Sequence, residues 1–244
     1  MENMLLKQIY LMNSLVISLI PAKGQSSQIK NKNFLKIEKK SLFEIAILNS
    51  IKSKNINYTF VSSESEKILK IAKKYECKSL KRPNNLALKK TKGIEVIKHF
   101  LRSLDKNLKK VNPIIIILQP TSPLRSVLDI EKSIRIFIRK KLRFLISVKK
   151  NKVSPFKDMF IKNKKLVPLT NKKNLLKNRQ VFPQTYRPNG AIFMFRYKEF
   201  IKNKSFLNNA YPYIMNEISS LDIDTINDYQ IAKKYFKSVH GKTF

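Results

Sequence analysis

The chain has 244 residues, 43% of them hydrophobic, with one cysteine and a formal net charge of +35 at pH 7. This length suits one large α/β domain, or one domain with a modest appendage, and no apolar run is long enough to span a membrane. A single cysteine excludes an internal disulfide and a cysteine metal cluster. We therefore expect a soluble, cytoplasmic protein with no membrane partner.

The positive charge comes mainly from lysine, because only nine of the 51 basic residues are arginine. Specific recognition of phosphates and bases depends more on arginine. The lysines are scattered along the whole chain with asparagine and isoleucine, a mixture typical of a bias toward A- and T-rich codons. We expect no specific nucleic-acid partner. A basic nucleic-acid binder, with steeply salt-dependent affinity, is kept as an alternative.

Residues 1–14 are interpreted as an N-terminal extension, and the domain is expected to cover residues 15–244. The first predicted strand, 15–20, is an apolar run that Pro21 ends, because proline cannot donate to a sheet ladder. A polar loop with one glycine and three lysines follows as far as Phe34. Backbone N–H groups and lysines in such a loop can hold phosphates, although an ordinary surface loop has the same composition.

Strands and helices alternate after this loop. Ser41 and Glu44 form a capping-box pattern at the start of a helix, and the five apolar residues of 114–118 suit a strand covered on both faces. This alternation predicts a three-layer α/β fold with a mostly parallel sheet. The predicted strands are 15–20, 58–61, 77–81, 114–118, 144–148, 190–195 and 211–215, and the predicted helices are 42–51, 65–75, 92–108, 126–138 and 226–236.

The alternation of strands and helices is interrupted between residue 149 and about residue 187. This segment is rich in lysine, asparagine and proline, and short strands are predicted at 159–161 and 166–169. It is too long for a simple connection, so we interpret it as a functional or subunit-contact excursion.

Three loops follow predicted parallel strands, after Ile20, Val61 and Leu118. Ligands bind beyond the carboxyl ends of the strands in such sheets, so these loops are expected to line a cleft. The third loop, Gln119–Arg125, contains two prolines, which reduce the entropy lost when a loop is fixed for binding. The residues alone do not distinguish a binding loop from a stiff connector.

Asp222 and Asp224 lie two residues apart, a spacing that places both carboxylates on one face of an extended segment. Two such carboxylates suit Mg²⁺, which usually takes one or two carboxylates and substrate phosphates. The alternative is that Asp224 and Thr225 cap the last helix while Asp222 is solvated.

Arg179 and Arg187 precede a predicted strand. The planar guanidinium group of arginine suits a carboxylate or phosphate on a substrate. The alternative is that both arginines form surface salt bridges.

Several blocks together resemble the N-acylneuraminate cytidylyltransferase family, the CMP-sialic acid synthetases. The resemblance covers most of residues 15–236, in the family's order. The matching blocks are Ile20–Gly24 with Lys32 and Asn33, Val61–Glu64, Arg82–Pro83, Leu118–Arg125, Arg187–Phe193 and Ser220–Thr225. The resemblance implies a nucleotide-diphosphosugar-transferase-like α/β fold, a homodimer with much of its contact in residues 149–187, and Mg²⁺-dependent coupling of CTP to a nine-carbon 2-keto acid sugar.

The same resemblance implies a role for individual residues. Asp222 and Asp224 match the metal-binding aspartates and, with Lys32, are expected to be catalytic. The nucleotide-binding positions are Ala22, Lys23, Asn33, Arg82 and Gly93. The sugar-binding positions are Gln119, Lys157, Arg179, Arg187 and Phe193, with Lys157 reaching the partner subunit's site.

The chain departs from the family pattern mainly around the nucleotide. Lys23 stands where members generally have arginine, Ser27 and Gln28 replace a Ser-Lys-Gly-like stretch, and Gly93 stands where a serine is usual. Glu64 ends a block that usually reads Ser-Thr-Asp. These differences motivate an alternative function, a catalytically weakened homologue that serves as a nucleotide-binding or scaffold protein.

Overall fold

The structure is a computed structural model, and it describes residues 14–25, 29–205 and 209–241 of the chain. A seven-stranded sheet forms its centre. Side by side in this sheet lie β11 (Tyr211–Ile214), β7 (Phe144–Lys150), β10 (Tyr186–Arg196), β6 (Ile114–Ile117), β1 (Val16–Pro21), β4 (Tyr58–Ser63) and β5 (Lys78–Lys81). Only β10 runs antiparallel to its neighbours, so the mostly parallel sheet is confirmed. The residues interpreted as an N-terminal extension lie almost wholly outside the described ranges, as do Ser27 and Gln28.

Helices connect most of these strands. They are α1 (Leu42–Ile51), α2 (Glu66–Lys74), α3 (Gly93–Ser103), α4 (Lys106–Lys110), α5 (Val127–Arg139), α6 (Tyr197–Asn203) and α7 (Ile226–His240). The single helix predicted for 92–108 is wrong. Leu104 leaves the helical conformation, and the Asp105 carboxylate caps a new helix by accepting the Leu108 N–H at 2.8 Å. Within the described ranges, no helix is both long and apolar enough to cross a membrane.

The core lies on both faces of the sheet. One hydrophobic cluster packs α1, α2 and α5 against one face, and another packs α3 and α6 against the opposite face. All four residues of β6 are buried, as expected for a central strand covered on both sides. The three-layer architecture is therefore confirmed. Cys77 is buried in the first cluster, and burial raises the pKa of its thiol to about 11.

The last helix closes the end of the molecule where the loops gather. It starts at the Thr225 cap, and Asp228 completes a capping box with Thr225. A third cluster packs α7 against α1 and a short hairpin of β2 (Lys36–Ile37) and β3 (Lys40–Ser41), which the sequence pattern did not predict. At the end of α7 a ring nitrogen of His240 lies 2.8 Å from the Pro123 carbonyl oxygen. The helix thereby supports the Gln119–Arg125 loop.

The excursion of residues 149–187 contains the two predicted short strands, β8 (Met159–Lys162) and β9 (Lys165–Pro168), and they pair as an antiparallel hairpin that was not predicted. One short 3₁₀-helix precedes the hairpin, at Pro155–Lys157, and two follow it, at Lys172–Leu176 and Arg179–Val181. The Phe156 and Phe182 rings stack with centroids 5.3 Å apart and hold the two ends of the excursion together. Much of its apolar surface is exposed to solvent, at Val153, Phe160, Ile161, Leu166, Leu176 and Val181.

Candidate active site

The loops after β1, β4 and β6 meet at one edge of the sheet, because these three strands are adjacent and parallel. Glu64 and Ser65, which follow β4, line another cavity of about 720 Å³, whereas the loops after β1 and β6 border a cleft of about 310 Å³. Six residues predicted to bind substrate or act in catalysis line this cleft, namely Lys23, Lys32, Asn33, Arg82, Gly93 and Gln119. Polar groups that are up to 96 positions apart in the sequence are therefore brought to one place.

Glu64 connects the first loop to Arg82, a lining residue of this cleft. One carboxylate oxygen, Oε1, accepts the Gly24 N–H at 2.7 Å, and the other, Oε2, accepts Nε and Nη2 of Arg82 at 3.1 and 2.8 Å. Burial acts to raise the pKa of Glu64, but its hydrogen bonds with Gly24 and Arg82 outweigh burial and the net pKa shift is downward. Glu64 therefore stays ionised and connects the first loop to a buried arginine.

Lys23 lies beside this pair. Its Nζ donates to the Leu88 carbonyl at 2.9 Å, and its backbone carbonyl accepts from the Asn33 side chain at 2.8 Å. Partial burial lowers the pKa of Lys23, and the positive charge of Arg82 lowers it further. Two cationic groups thus face one small cleft, which suits a polyanionic ligand.

Asp222 and Asp224 are not among the lining residues of the cleft, but they adjoin the end of it that Lys32 and Thr121 line. The Lys32 Nζ donates to the Ile223 carbonyl at 2.6 Å and to Asp224 Oδ1 at 3.1 Å. Burial raises the pKa of Asp222, and the negative charge of Asp224 adds to the increase, while a hydrogen bond from Thr121 and the charge of Lys32 oppose it. The interpretation of Asp222 as solvated is wrong, and Thr225 rather than Asp224 caps α7.

This end of the cleft fits a divalent cation. The Oδ1 atom of Asp222 is buried and has no hydrogen-bond partner among the described residues. A buried carboxylate oxygen without a donor is costly unless a cation occupies the space beside it. Within the described ranges there is no cluster of three or more His, Cys, Asp or Glu side chains suited to a metal. A bound ion would therefore need further oxygens from a phosphate ligand or water.

Gly190 provides the close packing between the two ends. It has φ +77°, and a Cβ placed on it would lie 3.3 Å from Gln119 Oε1 and 3.4 Å from Asp222 Oδ2. The Gln119 amide and the Asp222 carboxylate therefore both rest against the Gly190 backbone. A side chain at this position would push on both groups while straining the backbone.

We expect Gly190→Ala to lower the free energy of unfolding by about 1–3 kcal/mol, because a left-handed conformation is unfavourable for alanine. Gly93→Ala is the matched stability control, since no atom lies within 4 Å of its Cβ position and Gly93 is the first residue of α3. It should leave stability unchanged or raise it slightly. Urea unfolding of both variants measures the difference, and equal stabilities would contradict the assignment of strain to Gly190.

Two other residues predicted to bind the nucleotide, Ala22 and Gly93, have different surroundings. Ala22 is fully buried, and its N–H donates to the Ser62 carbonyl at 3.0 Å, so it extends the pairing of β1 with β4. Gly93 begins α3 and has an open Cβ position. Ala22 thus fixes the backbone beside the cleft, whereas Gly93 leaves space in it.

The predicted sugar-binding residues are not all brought together. Gln119 lines the cleft, whereas Phe193 is half-buried and packs on the cluster between the sheet and α3. Arg187 lines a separate cavity of about 970 Å³, together with Lys149 and Lys152. Lys157 and Arg179 lie on the excursion and line neither cavity, so their roles stay predictions.

Sequence reasoning missed three groups that shape the site. Glu64 was considered only as a departure from a family motif, and Asn189 and Arg125 only as members of one. Asn189 and Arg125 are 4% and 0% exposed, so they act by bonding other protein groups. Polar residues next to apolar strand residues were the available signal that these side chains are buried. Their hydrogen-bond partners could not be predicted, because they lie far away in sequence.

The family model described as "Cytidylyltransferase" matches residues 17–238, which contain every residue of this cleft. The chain belongs to the cytidylyltransferase family. An N-acylneuraminate cytidylyltransferase of Escherichia coli is 32% identical over 91% of this chain, which spans about half (52%) of that relative's length. A CMP-N,N'-diacetyllegionaminic acid synthase of Campylobacter jejuni is 29% identical over 89% of this chain and 93% of its own length.

Solved cytidylyltransferase-like structures share the fold. A CMP:2-keto-3-deoxy-manno-octonic acid synthetase in complex with CTP superimposes with a TM-score of 0.63 at 14% identity, covering 92% of this chain and 99% of that one. A 4-diphosphocytidyl-2C-methyl-D-erythritol synthase from Anaerococcus prevotii gives 0.64 at 14% identity, covering 94% and 99%. At these identities the likeness shows the fold alone.

Proposed function

We propose that this cytidylyltransferase couples CTP to a nine-carbon 2-keto acid sugar of the sialic or legionaminic type. The anomeric hydroxyl oxygen of the sugar would bond to the α-phosphorus of CTP. The bond from that phosphorus to pyrophosphate would break, giving the CMP-sugar and pyrophosphate. The observation that supports the proposal is the cleft lined by Lys23, Arg82 and Gln119, which adjoins the aspartates through the bond of its lining residue Lys32 to Asp224.

The nucleotide would occupy the part of the cleft bordered by the first loop and α3. Lys23 and Arg82 supply positive charge there, and Ala22, Asn33 and Gly93 shape the backbone around it. Most of the enzyme's contribution would be positioning and neutralisation of charge on the phosphates. Lys32, held between the Ile223 carbonyl and Asp224, would contact an oxygen of the α-phosphate that is transferred.

Asp222 and Asp224 would hold Mg²⁺. When bound, such an ion neutralises negative charge on the phosphates during transfer. The donor set fits this role, because two carboxylates leave most of an octahedral shell for phosphate oxygens and water. Lys32 beside Asp224 limits the negative charge of the segment before the ion binds.

The sugar would bind against Gln119 in the cleft, with Arg187 reaching it from the separate cavity that this arginine lines and Phe193 packing beside them. An arginine suits the carboxylate of a 2-keto acid sugar because its planar fork donates two parallel hydrogen bonds. Arg179 is proposed for the same ligand. Neither Arg179 nor Arg187 forms an ion pair with a described residue, which leaves both guanidinium groups available.

A homodimer is proposed, with residues 149–187 as the contact. The excursion exposes several large apolar side chains, including Ile161 at 75% and Leu176 at 91%, more than a monomer normally leaves in one place. Lys157 would then lie near the partner's sugar site. Sedimentation equilibrium tests the assembly, and a monomer at micromolar concentration would contradict it. The proposed location is the cytoplasm, where CTP is supplied.

The activity is tested by incubating purified protein with CTP, Mg²⁺ and a panel of sialic, legionaminic and pseudaminic acids. Pyrophosphate release that depends on one of these sugars supports the proposal, and no release with any of them contradicts it. Thermal stabilisation by CTP without turnover would instead favour the nucleotide-binding or scaffold role, which the lysine at position 23 motivates. Tight DNA or RNA binding that persists near physiological salt would favour the nucleic-acid alternative.

Restoring arginine at the first loop should improve nucleotide binding. We expect Lys23→Arg to lower the CTP concentration at half-saturation several-fold, because a guanidinium can bond two phosphate oxygens at once and keeps its full charge in a partly buried site. Isothermal titration with CTP measures the change. Lys39→Arg, an exposed position outside the cleft, is the control. An unchanged affinity in Lys23→Arg would count against placing this residue at the phosphates.

A further inference from the structure

The irregular part of β10 lies directly beside the proposed metal site. Pro188 pairs with Val148 of β7, and the next paired residue of β10, Phe193, is opposite Ile146. Several residues of β10 between these pairs therefore have no partner in the ladder. Gly190, on which Gln119 and Asp222 rest, lies inside this bulge.

The Asn189 side chain supplies hydrogen bonds that the interrupted ladder lacks. It is 4% exposed, and its Oδ1 accepts the Ser147 hydroxyl at 2.6 Å and the Ala191 N–H at 3.2 Å. Ser147 Oγ in turn accepts the Ile192 N–H at 2.7 Å. These bonds fix the bulge to β7 on both sides of Gly190.

The same carboxamide also holds the segment that carries the aspartates. Asn189 Nδ2 donates to Ser220 Oγ at 2.9 Å, and the Ser220 side chain is fully buried. Ser220 is two residues before Asp222. One side chain thus fixes Gly190, against which Asp222 rests, and the backbone immediately before Asp222.

We propose that Asn189 is a positioning residue that sets the distance between Asp222 and Gln119 through Ser220 and Gly190, and thereby the affinity of the divalent-cation site. This inference rests on the proposed function, because it assigns the cation to the Asp222–Asp224 segment. Asn189 itself does not touch substrate or metal. Its carboxamide is required because a donor must face Ser220 while an acceptor faces Ser147 and Ala191.

The sharpest variant is Ser220→Ala, since it removes the bond to the aspartate segment and leaves the bulge bonded to β7. We expect Mn²⁺ to bind Ser220→Ala about tenfold more weakly than wild type, as is typical when a group that orients a metal ligand is lost. The readout is electron paramagnetic resonance of free Mn²⁺, titrated in the presence of CTP and without sugar. Ser220→Thr, which keeps a hydroxyl, should recover most of the affinity.

Ser219→Ala is the matched control, because Ser219 is also buried, is adjacent in sequence, and makes its hydrogen bond to Asn216 through the backbone. Its Mn²⁺ affinity should equal that of wild type. Asn189→Ala removes the whole network and is expected to weaken Mn²⁺ binding at least as much. If Asn189→Ala does not fold, the Ser220 series alone decides the question.

Wild-type affinity in Ser220→Ala overturns the proposal, as does an equal loss in Ser219→Ala. A wild-type chain that binds no Mn²⁺ in the presence of CTP also overturns it. Failure of the proposed function would give a different result from failure of the positioning role. If no sugar is converted but Ser220→Ala still weakens Mn²⁺ binding selectively, Asn189 keeps its positioning role and only the proposed reaction is wrong.

Discussion

Asp222→Asn should reduce kcat/KM for CMP-sugar formation by about a hundredfold or more, while thermal stability stays equal or rises. If Asp222 holds the proposed Mg²⁺, loss of its carboxylate removes several kcal/mol of charge stabilisation, and each 1.4 kcal/mol corresponds to about tenfold in rate. Stability should not fall, because Asp222 is largely buried, lacks a partner for Oδ1 among the described residues, and lies near Asp224. An amide at this position avoids burying that charge.

The measurements are pyrophosphate release at saturating Mg²⁺ and a thermal melt of the same preparation. Asp105→Asn is the control, because Asp105 caps α4 at the surface and asparagine caps helices equally well. A variant Asp222→Asn that retains wild-type activity would remove Asp222 from the catalytic machinery. A large loss of stability would mean that this carboxylate has a structural role.

The second large effect is expected at Arg125. This guanidinium is fully buried, and its Nη1 donates to the carbonyls of Gln119 at 3.1 Å and Ala191 at 2.8 Å. Burial lowers the pKa of Arg125 to about 10. We expect Arg125→Ala to lower the free energy of unfolding by about 3–5 kcal/mol, because it leaves a cavity and removes a hydrogen-bond donor from the carbonyls of Gln119 and Ala191. The melting temperature of a chain of this size should fall by about 10 °C.

Arg125→Met tests the reason for this loss. Nε and Nη2 of Arg125 have no hydrogen-bond partner among the described residues, so an apolar side chain of similar length should recover part of the stability by filling the cavity. Arg139→Ala, an exposed arginine at the end of α5, should change stability by less than about 0.5 kcal/mol. Urea unfolding of the three variants is the measurement. Equal effects of Arg125→Ala and Arg139→Ala would contradict the role given to the buried guanidinium.

The sheet and its helices could be predicted because local signals and burial agree. Five apolar residues mark the central strand, and the Ser41–Glu44 capping box starts α1 as expected. The β2–β3 hairpin was missed because strands of two residues leave no periodic pattern. The break after Ser103 was missed because apolar residues continue across it, and only the Asp105 cap reveals the new helix.

The outline of the site could also be predicted, since its loops follow strands whose order the fold dictates. The spacing of Asp222 and Asp224 predicted a pair of neighbouring carboxylates, because residues two apart in an extended segment lie on the same face. What could not be predicted are bonds between distant positions. The contact of Glu64 with Gly24 spans 40 residues, and that of Arg125 with Ala191 spans 66. No local pattern encodes such pairs, because they depend on how the whole sheet is assembled.

The ion pair of Lys32 with Asp224 has a consequence for synthesis of the protein. It joins residues 192 positions apart, and α7, which follows Asp224, packs on α1 through the third cluster. Contacts of such long separation form late in folding, since loop closure must come first. On the ribosome, β1, β4 and β5 are available long before the aspartates emerge. A nascent chain therefore has the proposed nucleotide wall of the cleft before it has the proposed metal site, so binding of a cation at Asp222 and Asp224 would report a fully assembled protein.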